Sequence, residues 1–118
     1  MDRSFLEENG VDVNKGLELL GDIDMYNDTM SDFLDEINEK LPKLTQFKQN
    51  NDMPNYAIIV HSIKSDSKYL GFTHLSELAY EHEMKSKDND ISYVNEKFDE
   101  LKQEIDRILK LAKEYLKK

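Results

Sequence analysis

The residues with the clearest chemical potential lie in the stretch HSIKSDSKYLG, residues 61–71. It holds an imidazole at His61, an ammonium three residues later at Lys64, and small hydroxyl side chains around them. On a helix with about 100° between residues, the apolar side chains of this region fall about 160° to 220° away from His61. These side chains are Tyr56, Ile59, Ile63 and Leu70. His61 is therefore predicted to face solvent.

The neighbours of His61 on that face are small or positively charged. Ala57 lies one turn before it and Ser65 one turn after it, while Lys64 and Lys68 lie beside it. Small neighbours leave the imidazole open to another macromolecule, and the two lysines give a local positive field that suits an anion such as a phosphoryl group. The alternative is that His61 is an ordinary surface residue of an amphipathic helix.

Other kinds of site find less support. The chain has no cysteine, which excludes disulfides, thiolate metal sites and cysteine nucleophiles. His74 with Glu77 or Glu81 does not form a dense ligand set, so we predict no metal site. His82 falls on an apolar stripe and is predicted to be a hydrogen-bonded core histidine. No glycine-rich nucleotide cradle is present, which disfavours an autonomous kinase and leaves open whether the protein is an enzyme in its own right.

Charge and composition restrict the partners. The 118 residues carry a formal net charge of -9, and only Arg3 and Arg107 offer a guanidinium, so nucleic-acid binding is not expected. The acidic N-terminus lacks the pattern of a signal peptide, and no apolar run is long enough to cross a membrane. These features predict a soluble cytoplasmic protein that forms one domain, residues 1–118.

The elements that position His61 are predicted to be helices, because glycine and proline are sparse and no strand alternation occurs. A break or a bend is predicted at Pro42, where a backbone donor is missing. Two short helices are predicted first, at 2–9 and at 13–20 or 14–20. The next helix is capped by Asp24 and ends near 49, and the one after it runs from the Asp52 cap to Gly71. The last two are a helix that is capped by Thr73 and ends near 88, and a helix over 92–117.

The last of these helices has a heptad-like apolar seam. Its members are Val94, Phe98, Leu101, Ile105, Ile108, Ala112 and Tyr115. Four long amphipathic helices joined by short connections predict an all-α fold, an antiparallel up-and-down four-helix bundle preceded by short N-terminal helices.

On these residues the chain resembles the histidine-containing phosphotransfer (HPt) domain, the phosphocarrier of multistep phosphorelays. The signature of that family is His, any residue, an aliphatic, Lys, Gly, five variable positions and Gly, on a helix of a four-helix bundle. His61, Ile63, Lys64 and Gly71 match it. Ser65 departs from it, because the family usually has glycine there, and many members carry a short polar residue in place of Tyr69.

The resemblance implies that His61 takes a phosphoryl group from a receiver-domain aspartate and passes it to another receiver. Lys64 would offset the phosphoryl charge, and Ser65 would donate a hydrogen bond to it. The implied partners are response-regulator receiver domains and a hybrid sensor histidine kinase. The chain itself would need no cofactor, since Mg²⁺ is expected on the receiver.

The partner surface is predicted to surround His61. Ile58 and Tyr69 lie at about 60° and 80° from it, where they form an apolar patch for the partner or pack against the neighbouring helix. The residues assigned to this surface are Ala57, Ile58, Lys68, Tyr69 and Gly71.

Two alternatives remain at this point. The first is a docking module of the same fold that no longer transfers phosphate, for which Ser65 and Tyr69 are the motivating departures. The second is a phosphatase-type accessory bundle that acts on a receiver through carboxylates, but no paired acids are predicted on the His61 face.

Overall fold

A computed structural model describes all residues 1–118 of the chain. The chain folds into six helices and has no strand. The two short N-terminal helices and the four long ones of the bundle are α1 (Arg3–Glu8), α2 (Val13–Leu20), α3 (Ile23–Gln49), α4 (Met53–Leu70), α5 (Thr73–Lys87) and α6 (Ile91–Leu116). Each long helix packs against its neighbours in sequence, and α6 closes the bundle against α3. This arrangement confirms the predicted antiparallel up-and-down four-helix bundle.

Aspartates begin five of the six helices. The side chain of each accepts a hydrogen bond from a backbone N–H of the first turn, which satisfies one of the donors that a helix start leaves unpaired. The capping residues are Asp2, Asp12, Asp22, Asp52 and Asp90. Helix α5 differs, since Phe72 occupies its cap position and no side chain bonds its first turn.

Two predicted caps are therefore wrong. Asp24 lies inside the first turn of α3, because Asp22 caps this helix two residues earlier. Thr73 is the first residue of α5, and its hydroxyl bonds backward to the Gly71 carbonyl at 3.5 Å. Both corrections move a helix start by one or two residues, the precision that spacing alone allows.

Helix α3 passes through Pro42 without a break. The proline ring and Asn38, whose carbonyl loses its usual donor, are both on the exposed side of the helix. Solvent can hydrogen-bond that carbonyl, so the missing donor is tolerated within a continuous helix.

The core is one cluster of 27 buried hydrophobic residues to which all six helices contribute. The predicted seam of α6 is confirmed, because all seven of its members are buried. The Tyr26 hydroxyl of α3 donates to the Leu70 carbonyl at the end of α4, at 2.7 Å. This packing fixes the rotation of α4, and with it the face that reaches solvent.

Candidate functional site

Helix α4 presents His61 to solvent on the side opposite the core. Its side chain is 57% exposed, whereas Val60 and Ile63 on either side of it are fully buried. The separation of the two faces confirms the orientation predicted from helical spacing. A ring that projects in this way can be approached by a second protein.

The ring is held from behind by Glu83 of the neighbouring helix α5. The Nδ1 of His61 lies 2.7 Å from Oε2 of Glu83, and Lys64 Nζ donates to Oε1 at 2.7 Å. A second lysine, Lys87, places its Nζ 2.8 Å from Oε2. The Glu83 side chain is only 2% exposed, so one buried carboxylate accepts from an imidazole and two ammonium groups.

These contacts keep Glu83 ionised. Burial by itself raises the pKa of this carboxyl, but hydrogen bonds from Lys64, Lys87 and His61 outweigh burial and lower the pKa to about 2. At neutral pH the group is therefore a carboxylate, which accepts hydrogen bonds and donates none.

The charge of Glu83 determines the tautomer of His61. Because the carboxylate can only accept, Nδ1 must carry the proton, and in the neutral ring the lone pair then lies on Nε2. That nitrogen is the nucleophilic atom of the exposed ring. A group added at Nε2 makes the ring cationic, and the carboxylate at 2.7 Å from Nδ1 stabilises that charge.

The remaining predicted site residues lie along the same face of α4. Ser65 is half-buried, and together with Lys64, Lys68 and Tyr69 it lines a concavity of about 310 Å³ beyond His61. Lys68 is exposed, and the Tyr69 side chain is 46% exposed. The two lysines and the serine hydroxyl thus lie on the C-terminal side of the imidazole.

On the N-terminal side, Ile58 borders a groove of about 670 Å³ that Ala57, His61, Glu83 and Lys87 also line. Ile58 is 66% exposed. It therefore does not pack into the adjacent helix, and of its two alternatives only the exposed apolar patch remains.

Two residues assigned to the partner surface are buried. Ala57 is 5% exposed and contributes only to the floor of the groove. Gly71 is buried at the C-cap of α4 with φ of 78°, and a side chain there would collide with the Asp12 carbonyl. Gly71 thus acts inside the fold, because it ends α4 in a left-handed conformation and lets the α2 start approach closely.

Sequence reasoning missed Glu83 and Lys87. It found no acid on the His61 face, because Glu83 belongs to another helix. A signal was present, since Glu83 adjoins the apolar stripe of α5 formed by Leu78, Ala79 and His82. A carboxylate at a core-facing position needs a charged or hydrogen-bonding partner.

His82 is a core residue, as predicted. It is 1% exposed, and its Nδ1 lies 2.8 Å from the hydroxyl of Tyr56. Burial lowers the pKa of this imidazole, so the ring is neutral at pH 7. Nowhere in the chain do three or more metal-ligating side chains of His, Asp or Glu converge.

Comparison with protein families gives one match, and it covers most of the bundle. The model of the Hpt domain matches residues 24–110. Searches of the curated proteins and of the solved structures give no match. The chain belongs to the Hpt domain family. Membership in this family implies a phosphocarrier role in a phosphorelay, in which Hpt domains work with receiver domains.

No helix of this chain combines the length and the apolar character that crossing a bilayer demands.

Proposed function

We propose that this protein accepts a phosphoryl group on Nε2 of His61 from the aspartyl phosphate of one receiver domain and passes it to the aspartate of another. The observation that carries the proposal is the exposed imidazole whose Nδ1 is bonded to the buried Glu83. That bond leaves the nucleophilic lone pair on the solvent-facing nitrogen.

The transfer step is a displacement at phosphorus. The Nε2 lone pair forms the N–P bond, the P–O bond of the aspartyl phosphate breaks, and the carboxylate leaves with the electron pair. The Nδ1 proton stays on the ring, opposite Glu83. Since the group moves between two nucleophiles held in line, catalysis consists mainly of positioning and charge neutralisation.

The residues beside His61 fit these tasks. Lys64 donates to Glu83 at 2.7 Å and has a flexible stem that can bring its ammonium to a phosphoryl oxygen. The Ser65 hydroxyl can donate a hydrogen bond to the same group. Ile58, Lys68 and Tyr69, all exposed, would contact the receiver around the ring.

The partners complete the chemistry. Mg²⁺ is expected on the receiver domain, where it offsets phosphoryl charge, and a hybrid sensor histidine kinase is the expected source of the phosphoryl group. The proposed location of this relay step is the cytoplasm.

The test is transfer of label from a phosphorylated receiver domain in the presence of Mg²⁺. We expect the wild-type protein to take up label that is lost in acid and stable in base, the behaviour of a phosphoramidate. The variant His61→Gln should take up none, while His74→Gln, which removes another exposed histidine, should behave as wild type.

Two results would contradict the proposal. Label retained by His61→Gln would exclude His61 as the carrier. Binding to several receivers without any label on the wild-type protein would favour a docking module, and Ser65→Gly would then be the first variant to examine.

A further inference from the structure

Lys87 lies within reach of the imidazole but outside the motif that identifies the phosphorylated histidine. It stands on α5, one turn after Glu83, and its side chain is 58% exposed at the rim of the groove beside His61. Its Nζ and the His61 Nδ1 bond the same carboxylate oxygen, Oε2 of Glu83, at 2.8 and 2.7 Å. Two contacts to one oxygen place the ammonium and the ring close together.

We propose that Lys87 is a second phosphoryl-binding residue, which leaves Glu83 when His61 is phosphorylated and pairs with the phosphoryl oxygens alongside Lys64. The inference rests on the proposed function, because it requires a phosphoryl group on Nε2. It adds a cation from α5 to the one that α4 supplies.

The charges of the cluster support this exchange. Attack through Nε2 requires a neutral ring, and in that state one carboxylate faces two ammonium groups, so the cluster has an excess of positive charge. A phosphoryl group brings up to two negative charges, while attack at Nε2 makes the ring cationic. The cluster is then close to neutral with Lys87 present and net negative without it.

Because the oxygen is shared, Lys87 can leave Glu83 for the phosphoryl group at a small cost in free energy. When the ring becomes cationic, its Nδ1–H forms a charge-assisted bond to Oε2 of Glu83, the same atom that Lys87 leaves. The buried carboxylate therefore keeps a positive partner throughout. Lys87 can move because its exposed four-carbon stem is flexible, whereas Glu83 is fixed in the interface between α4 and α5.

The experiment compares Lys87→Met with Lys85→Met. Lys85 is on the same helix and exposed, but it lies over the Tyr93 ring, 5.5 Å from its centroid, and bonds no part of the Glu83 cluster. Both variants remove one positive charge, so any difference between them is due to the position of the lost charge. Lys87→Arg keeps the charge and should retain wild-type behaviour.

The primary readout is the pH titration of the phosphoryl ³¹P resonance, with His61 phosphorylated by a receiver domain or, independently, by a small-molecule phosphoramidate. We expect Lys87→Met to raise the pKa of the phosphoryl group by about one unit, because a nearby cation favours the dianion. It should also lower the share of label on this protein at equilibrium with the receiver. Lys85→Met should change neither.

A second readout distinguishes direct binding of the phosphoryl group by Lys87 from an indirect effect of Lys87 that acts through Glu83. The ¹⁵N shifts of the imidazole in the unphosphorylated protein report which nitrogen carries the proton, and we expect Lys87→Met to keep it on Nδ1. A changed tautomer with an unchanged phosphoryl titration would mean that Lys87 acts only through Glu83, which overturns the inference.

The remaining outcomes are also decisive. If His61 is labelled in the wild-type protein and Lys87→Met titrates like Lys85→Met, the inference is wrong and the proposed function stands. If neither phosphoryl donor labels the wild-type protein, the proposed function and the inference fail together.

Discussion

Replacement of Glu83 by glutamine tests the charge cluster behind His61. The substitution keeps the size and the accepting oxygen of the side chain but removes its charge. In the native protein that charge is 2% exposed and bonded to Lys64, Lys87 and His61 at 2.7 to 2.8 Å. We expect the variant to fold and to be less stable at neutral pH, because its amide offers the two ammonium groups only a neutral partner.

The magnitude follows from linkage between protonation and folding. The pKa of Glu83 is lowered from 4.5 to about 2 in the folded protein, so the stabilisation is complete above pH 4.5 and is lost as the pH falls through 2. A difference of this size corresponds to about 3 kcal/mol at pH 7. At pH 3 only about 1 kcal/mol of it should remain.

The assay is urea unfolding followed by circular dichroism at a series of pH values from 7 to 3. The free-energy difference between wild-type protein and Glu83→Gln should shrink by about 2 kcal/mol over this range. The control is Glu77→Gln, which neutralises an exposed carboxylate on the same helix and should show a small, nearly constant difference. A difference for Glu83→Gln that does not change with pH would refute the charge cluster as its cause.

Three further changes probe how the bundle is held in the shape that exposes His61. Gly71→Ala should destabilise the protein by at least about 2 kcal/mol in urea unfolding, because the left-handed backbone disfavours a side chain and the added carbon meets the Asp12 carbonyl; wild-type stability would show that this end of α4 adapts. Tyr56→Phe should cost about 1 to 3 kcal/mol, since it removes the 2.8 Å partner of buried His82; an unchanged midpoint would mean that another group satisfies the ring. Ile105→Ala, at a fully buried seam position, should lower the free energy of unfolding by about 2 to 5 kcal/mol, and a loss below about 1 kcal/mol would contradict close packing of α6.

Much of the fold could be predicted because it depends on local spacing. The apolar seam of α6 follows from a repeat within one helix, and all of its members are buried as expected. Helix ends were less certain. Both Asp22 and Asp24 are suitable caps by residue type, but Asp22 has the extended backbone of a cap and accepts from the Met25 N–H, whereas Asp24 already lies in the first turn.

The candidate site could also be predicted only in part, where its features depend on a single helix. His61 faces outward because the apolar side chains of α4 lie on its other side, which is a property of one helix and can be calculated from the sequence. Gly71 was assigned to the partner surface because it belongs to the motif. Its burial against Asp12 depends on where α2 packs, and no spacing within α4 carries that information.

By itself the sequence determined the helical bundle, because four amphipathic helices joined by short connections pack in that way. It also determined the exposure of the imidazole and the place of the lysine beside it, because both follow from the angular positions of residues along a single helix. The tertiary structure alone decided which carboxylate holds the ring and which second cation joins it. Glu83 and Lys87 reach His61 only through the rotation and the axial offset between α4 and α5, and packing of the whole core sets both quantities.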